Sequence, residues 1–263
     1  MTGWVDVRRS GDEAWVVLDR PEQRNAVTTD MLRTAARGIQ EAVADGARVV
    51  VLTGAGPAFC AGADLREFAV SPPGSPAEPR RDTARLYAAG ELVTAIRRAP
   101  VPVVAGMNGV AAGYGCSLLL ACDLVLARQS ARFAFSFAGV GLMPDGGLTK
   151  ALPQAVGRLR AAQLLFGGRP LGAADAYALG LVSEVVADDA FDGRLAELAG
   201  SLAEGPTAAF AATKAAMDSA DRLPLEGALA AETTAQLGLF ATRDYAEGVA
   251  AFRERRPPLF TGA

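Results

Sequence analysis

The stretch 106–149, GMNGVAAGYGCSLLLACDLVLARQSARFAFSFAGVGLMPDGGLT, sets the terms for any fold of this chain. It opens on a short apolar strand, turns at Asn108-Gly109, and runs through the small residues Ala111, Ala112, Gly113 and Gly115 into an apolar helical run over 116–122. A second strand follows, and the stretch ends on Pro144-Asp145-Gly146-Gly147. A strand that turns through small residues into a helix leaves the first N–H groups of that helix without internal acceptors. They lie at the positive end of the helix dipole. Such groups suit an oxygen on which negative charge develops. An earlier segment repeats the device, with a strand over 48–53, the break Gly54-Ala55-Gly56-Pro57, and then FCAGADL at 59–65. Two such turns can aim two N–H groups at one carbonyl oxygen, each contributing on the order of 3 kcal/mol to an enolate or tetrahedral oxyanion. Small residues can equally serve only close strand–helix packing, and spacing alone leaves both readings open.

The remaining pattern predicts a mixed fold. Short β-forming runs at 4–9 and 14–20 flank Ser10-Gly11-Asp12, a hairpin signal. Thr28 or Thr29 caps a helix over 28–44, and the continuous apolar run 49–52 suggests a strand buried on both faces. A helix over 81–98, a strand over 103–107, one helix over 152–166, a shorter one over 172–178 closed by Gly180, and a last strand over 182–186 complete the α/β portion. Beyond it come only helical patterns, at about 190–204, 206–220, 224–240 and 243–256. This order predicts an α/β core over 1–200 and a helical region over 201–263. Ala-rich helices with apolar faces need a partner surface, so a homo-oligomer is expected. The Pro- and Ser-rich segment 70–80 reads as a surface loop and a candidate lid.

Composition removes whole classes of chemistry. With 51% apolar and 21% charged residues, the chain has material for a buried core and is not disordered. It contains no histidine, which excludes Ser-His-Asp and Cys-His catalysis and His-ligated zinc. Cys60, Cys116 and Cys122 are too scattered for a metal set and read as reduced, buried thiols. A net charge of −3 without a basic stripe argues against nucleic acid. No apolar run is long enough to span a bilayer, and residues 1–6 lack a signal-peptide pattern, so a cytoplasmic location is expected. Gly54-Ala55-Gly56 does not complete a dinucleotide fingerprint. Proton transfer falls to carboxylates, Lys, Tyr, Cys or water.

Taken together, these motifs resemble the crotonase family, the enoyl-CoA hydratase/isomerase superfamily. The likeness runs through Arg20-Pro21, Asn25-Ala26, FCAGADL, AAGYGCSLLLACD, Ala131-Arg132-Phe133, GLMPDGGLT at 141–149 and the C-terminal EGVAAFRERRPPLF. The resemblance implies an α/β fold with a ββα spiral core and a C-terminal α-helical trimerisation region, assembled as a homotrimer or a dimer of trimers. It implies an acyl-CoA substrate, with coenzyme A as part of the substrate, no further cofactor and no metal. Its thioester oxygen would sit between the N–H groups of Ala63 and Tyr114. Arg24, Ala26, Ala61, Asp64 and Leu65 would line the CoA path, and Phe252 and Arg255 would meet the nucleotide end.

The departure from the family pattern matters as much. Family hydratases hold a water with two glutamates, and at the matching positions this chain has Ser117 and Phe137. Neither acts as a carboxylate, and a serine without a nearby histidine or lysine is a poor base. Asp145 remains, at the position of the acid in several family isomerases, including Δ3,Δ2-enoyl-CoA isomerases and the phenylacetyl-CoA-epoxide isomerase. Dienoyl-CoA isomerases also keep an acid at the position of Phe137 and fit less well. The expectation is therefore an enoyl-CoA isomerase with Asp145 as proton shuttle. The alternatives are a hydratase with a rearranged water site and a CoA-ester-binding protein without catalysis. For Asp145 the competing role is N-cap of a helix beginning at Gly146. Asp64 reads as a cap of a short helix, Asp123 as structural, and Ser117 as a hydrogen-bond donor to substrate, water or its own helix. Glu67, Glu78 and Glu91 are candidates for a second acid, with Glu91 the best placed.

Overall fold

The computed structural model describes residues 3–68 and 79–263. The chain begins with an antiparallel hairpin, β1 (Val5–Ser10) and β2 (Glu13–Leu18), followed by helix α1 (Thr29–Ala44). Thr28 caps α1, its side-chain oxygen accepting from Met31 N–H at 3.2 Å. The chain then crosses three times from one sheet to a second, and after each of the first two crossings it returns through a helix. The first unit is β3 (Val49–Gly54), β4 (Ala58–Cys60) and α2 (Pro79–Arg98). The second is β5 (Val103–Met107), β6 (Val110–Ala112) and α3 (Tyr114–Ala121). The third is β7 (Leu124–Arg128), β8 (Arg132–Ala134) and the pair α4 (Leu148–Val156) and α5 (Arg158–Gly167). Strand β9 (Leu171–Gly172), helix α6 (Ala173–Ala178) and strand β10 (Glu184–Val186) close the spiral.

The first sheet runs β1-β2-β3-β5-β7-β10 and is parallel from β2 onward. The second runs β4-β6-β8-β9, with only β9 antiparallel. The apolar run in β3 is buried on both faces, as its sequence requires. Val50 and Leu52 join the main core with α1, α2 and α3. Val49 and Val51 face the other way, with Val104 and Leu126, onto Phe191, Leu195 and Ala199 of helix α7 (Phe191–Ala203). Such two-sided burial is the reason a strand here carries no polar alternation.

Three more helices follow: α8 (Thr207–Ala220), α9 (Leu225–Leu239) and α10 (Arg243–Glu254). They bury little. In α8 the buried side chain is a lysine, Lys214, whose Nζ donates to the carboxylate of Asp123 at 2.7 Å and to Ile96 C=O at 2.8 Å. Asp123 also accepts from Val103 N–H at 2.8 Å, so one carboxylate joins α8 to the edge of β5. On α9, Leu225, Leu229 and Leu237 are more than half exposed. No described helix is long and apolar enough to cross a membrane.

Two local expectations change. The single helix expected over 152–166 is two helices, because Gly157 adopts φ 78, ψ 156 and closes α4 with its N–H on Pro153 C=O. The helix expected to begin at 116 begins at Tyr114, directly after Gly113. The candidate lid 70–80 lies almost entirely outside the described residues.

Lys214 is buried, and its partner Asp123 is partly so. Lys214→Ala leaves the Asp123 carboxylate with the more distant Arg97, 4.0 Å away, in place of its close cation and is expected to destabilise the protein by about 3 kcal/mol. Thermal unfolding should show this as a drop of several degrees. The double variant Lys214→Met/Asp123→Leu should recover most of it.

Candidate active site

The two small-residue turns meet through their backbones. After β4 the chain 61–64 runs beside 24–27, with Ala61 N–H on Arg24 C=O (2.9 Å), Val27 N–H on Gly62 C=O (2.8 Å) and Asp64 N–H on Val27 C=O (2.9 Å). This alternation turns the Ala63 N–H away from that neighbour. A Cβ on Gly115 would lie 2.3 Å from the Cys60 carbonyl oxygen. Gly62 has φ 94, and a Cβ there would lie 2.9 Å from Ala112 O and 3.5 Å from Tyr114 N. Only glycine allows this approach. Tyr114 is the first residue of α3, where an N–H has no partner within the helix. Among the described residues neither the Ala63 nor the Tyr114 N–H reaches a protein acceptor, and both residues line one cavity of about 550 Å³.

The first turn is held from behind by charge and amide bonds. Arg20 is buried, stacks over Trp4, and donates to Asp64 Oδ2 and Ala26 C=O, both at 2.9 Å. Asp64 also caps the 3-10 turn Leu65–Glu67 and binds Arg66 through both oxygens. These bonds, first those from Arg66, hold its carboxyl well below the usual carboxylate range. Arg24 and Asn25 both take left-handed φ values, 50 and 57. Asn25 is fully buried and secures that bend, accepting from Arg20 N–H and donating to Ala55 and Ala58 carbonyls.

The cavity wall is mainly apolar and includes Val27, Leu32, Leu86, Phe137, Leu142 and Met143. Phe137 puts an apolar ring into this wall. Ser117 is buried, and its Oγ donates to the main-chain carbonyl of Asp145 at 2.9 Å, tying α3 to the 144–147 loop. The Tyr114 ring lines the same cavity, and its hydroxyl donates to Ala89 C=O on α2 at 2.7 Å.

Asp145 is not a helix cap. Helix α4 begins at Leu148 with Gly147 as N-cap and no side-chain capping bond. The main-chain oxygen of Asp145 serves the helix, accepting from Leu148 N–H at 3.1 Å. Its side-chain Oδ1 is buried, with no hydrogen-bond partner among the described residues. Burial pushes the Asp145 carboxyl above its ordinary value, opposed by its own backbone N–H and by the positive charge of Arg85. A carboxylate with a free oxygen and a raised affinity for a proton suits proton transfer.

The other candidates separate clearly. Ala61, Ala63, Leu65, Tyr114 and Asp145 line the cavity. Arg24, Ala26 and Asp64 belong to the adjoining backbone layer rather than its wall. Phe252 is exposed on α10 and lines a separate groove with Phe260, while Arg255 ends α10 at φ 56. Glu67 accepts from the backbone and side chain of Thr29 at the start of α1. Glu91 is exposed and lines an outer groove with Gln40 and Tyr87. Glu78 lies outside the described residues. Among the described residues no group of His, Cys, Asp and Glu is placed to hold a metal ion. Sequence reasoning missed Arg85, which is buried in the cavity wall with its guanidinium 3.3 Å from the Phe68 ring centroid. Its neighbours come from a segment with no motif, so nothing in the sequence marked it.

Residues 12–263 match the sequence model of the family described as Enoyl-CoA hydratase/isomerase. A probable enoyl-CoA hydratase of Rhodobacter capsulatus is 41% identical over 95% of this chain and 94% of its own length. The 1,2-epoxyphenylacetyl-CoA isomerase of Escherichia coli K12 is 38% identical over 94% of each chain. The crystal structure of a putative enoyl-CoA hydratase from Streptomyces coelicolor A3(2) superposes with a TM-score of 0.91 at 35% identity, covering 100% of this chain and 96% of that one.

All three cysteines are buried, and desolvation pushes the thiols of Cys60 and Cys116 up to about 12. A thiol reagent at pH 8 should therefore leave the native protein unmodified and react with all three cysteines after denaturation. Fast reaction of Cys60 or Cys116 in the folded state would return them to the list of nucleophiles.

Proposed function

Because the chain belongs to the enoyl-CoA hydratase/isomerase family, whose members act on acyl-CoA thioesters, we propose that it isomerises an enoyl-CoA or related acyl-CoA through a thioester enolate. The thioester oxygen accepts from the N–H groups of Ala63 and Tyr114. The Asp145 carboxylate takes a proton from the carbon beside the thioester carbonyl. For a 3-enoyl thioester, the C2–H electrons form the C1=C2 bond of the enolate as the carbonyl pair moves onto oxygen; when the carbonyl re-forms, the C1=C2 pair becomes the C2=C3 bond and the old C3=C4 pair takes the proton back from Asp145 at C4. Asp145 ends as a carboxylate and the substrate is a 2-enoyl thioester. Enolate charge in the intermediate is stabilised by the two backbone donors, which need no reorganisation as it forms.

The observation that carries this reading is the bare Oδ1 of Asp145 in a cavity walled by Phe137, with Ser117 bonded to the Asp145 main chain behind it, these two standing where the family resemblance puts the hydratase glutamates. One carboxylate is enough to move a proton between two carbons of the same substrate. Hydration also requires holding and activating a water, and the relative named as a probable hydratase keeps that as the second reading, with Asp145 as sole base. We further propose that Arg24, Ala26, Asp64 and Leu65 flank the CoA path and that Phe252 and Arg255 reach its nucleotide end. We likewise propose a core over 1–200 and a helical region over 201–263, with the exposed leucines of α9 covered in a homotrimer or dimer of trimers.

Asp145→Asn keeps the shape and removes the base. With 3-hexenoyl-CoA as substrate, its kcat is expected to fall by about a thousandfold while acyl-CoA binding persists. Undiminished turnover in a folded Asp145→Asn variant would sink the shuttle.

A further inference from the structure

The Tyr114 side chain stands between two cavities. On one side is the active-site cavity of about 550 Å³, and on the other a groove of about 930 Å³ bounded by α2, α3, α4 and α8. Three elements change sides at the same level. On α2, Ala89 lines the cavity and Val93, one turn on, lines the groove. On α3 the change falls between Tyr114 and Ser117, and in the loop before α4 it falls between Asp145 and Gly146. The tyrosine fills that level. Its buried ring rests against the Gly146 backbone, where a Cβ would lie 2.8 Å from Cε2, and its hydroxyl donates to Ala89 C=O at 2.7 Å. Ser117 closes the remaining side, its Cβ 2.8 Å from the same point and its Oγ bonded to Asp145 C=O at 2.9 Å. The turn itself does not call for a large residue, since its neighbours are Ala111, Ala112, Gly113 and Gly115. The oxyanion donor proposed at residue 114 is a backbone N–H, which any residue but proline supplies. The side chain is therefore free for a second role.

From this geometry we infer that the Tyr114 side chain is an end wall of the acyl pocket and a specificity-determining residue, restricting the substrate to acyl groups short enough to end within the cavity. The inference rests on the acyl-CoA reading, in which the thioester oxygen lies at the N–H groups of Ala63 and Tyr114. An acyl group fixed there starts beside this wall. Val27, Leu32, Phe137 and Leu142 give the cavity an apolar surface that suits a hydrocarbon chain. Past the wall the groove is polar, with Arg97, Lys150, Gln154 and Asp221 among its lining residues. A chain that reaches the tyrosine meets a ring held at both ends. Swinging it aside breaks the bond to Ala89 C=O and leaves a buried hydroxyl without a partner. With the ring removed, cavity and groove become continuous and a longer chain gains room.

Each added methylene of an unobstructed chain strengthens binding, so a preference for the shorter chain reports an obstacle. The test compares kcat/KM for 3-hexenoyl-CoA and 3-decenoyl-CoA in the wild type, Tyr114→Ala, Tyr114→Leu and Tyr114→Phe. The wild type should prefer the shorter substrate by about tenfold or more. Tyr114→Ala and Tyr114→Leu remove the ring and should move that ratio by about tenfold towards the longer substrate, whatever their absolute rates. Tyr114→Phe keeps the ring and should keep the preference. Equal use of both chains by the wild type would overturn the inference. So would a ratio unmoved in Tyr114→Ala and Tyr114→Leu, or one moved as far by Tyr114→Phe as by Tyr114→Ala. Equilibrium binding of hexanoyl-CoA and decanoyl-CoA reads the same preference without turnover, and its wild-type arm needs no variant to fold. If the wild type isomerises neither substrate, the proposed function fails, while the binding ratio still decides whether Tyr114 sets the length of the acyl group.

Discussion

The contact between two backbones, at Cys60 and at Gly115, governs the rest of this structure. The Cys60 carbonyl lies where the first carbon of any side chain on residue 115 would go. That approach sets the turn after β4 against the start of α3 and brings Ala63 and Tyr114 to the same cavity. Much of the surrounding chemistry serves to keep it in place. Asn25 and the Arg20–Asp64 pair brace one turn from behind, and the Tyr114 hydroxyl fastens the other to α2. Backbone donors in a braced frame are well suited to a developing negative charge, since nothing must rotate to meet it.

Around that frame, polar groups divide into those that are spent and those that are not. The Asp64 carboxylate is consumed by Arg20 and Arg66, that of Asp123 by Lys214 and Val103 N–H, and that of Glu67 by Thr29. Ser117 gives its hydrogen bond to a carbonyl. Asp145 alone among these retains a buried oxygen without a partner among the described residues. Its main chain does the capping that the sequence suggested for its side chain, which releases the carboxylate for another use. Burial in the cavity wall then raises its hold on a proton.

Much of this was legible in the sequence for identifiable reasons. Continuous apolar strands and small-residue turns express burial and close approach, so an α/β core and both turns could be read before any coordinates, while the spiral arrangement was implied by the family resemblance. Set against the family resemblance, Ser117 and Phe137 at the positions expected of two glutamates pointed to Asp145 as the remaining acid. Other features depend on contacts far apart in the chain and leave no local pattern. Arg85 on α2 looks like one more solvated arginine until Phe68 is laid against it. Lys214 sits in an Ala-rich helix as an ordinary surface lysine would, yet it reaches the interior. The break at Gly157 was missed because the apolar spacing continues across it, while the backbone there is left-handed.

In the proposed reaction one carboxylate carries a proton between two carbons of an acyl-CoA held by two backbone donors. The most direct measurement follows the isotope of 3-hexenoyl-CoA deuterated at C2 through a single conversion in ordinary water. A single shielded carboxylate predicts 2-hexenoyl-CoA with deuterium at C4 well above solvent composition. Accumulation of 3-hydroxyhexanoyl-CoA instead, or a 2-enoyl product whose C4 hydrogen comes wholly from solvent, would contradict the account.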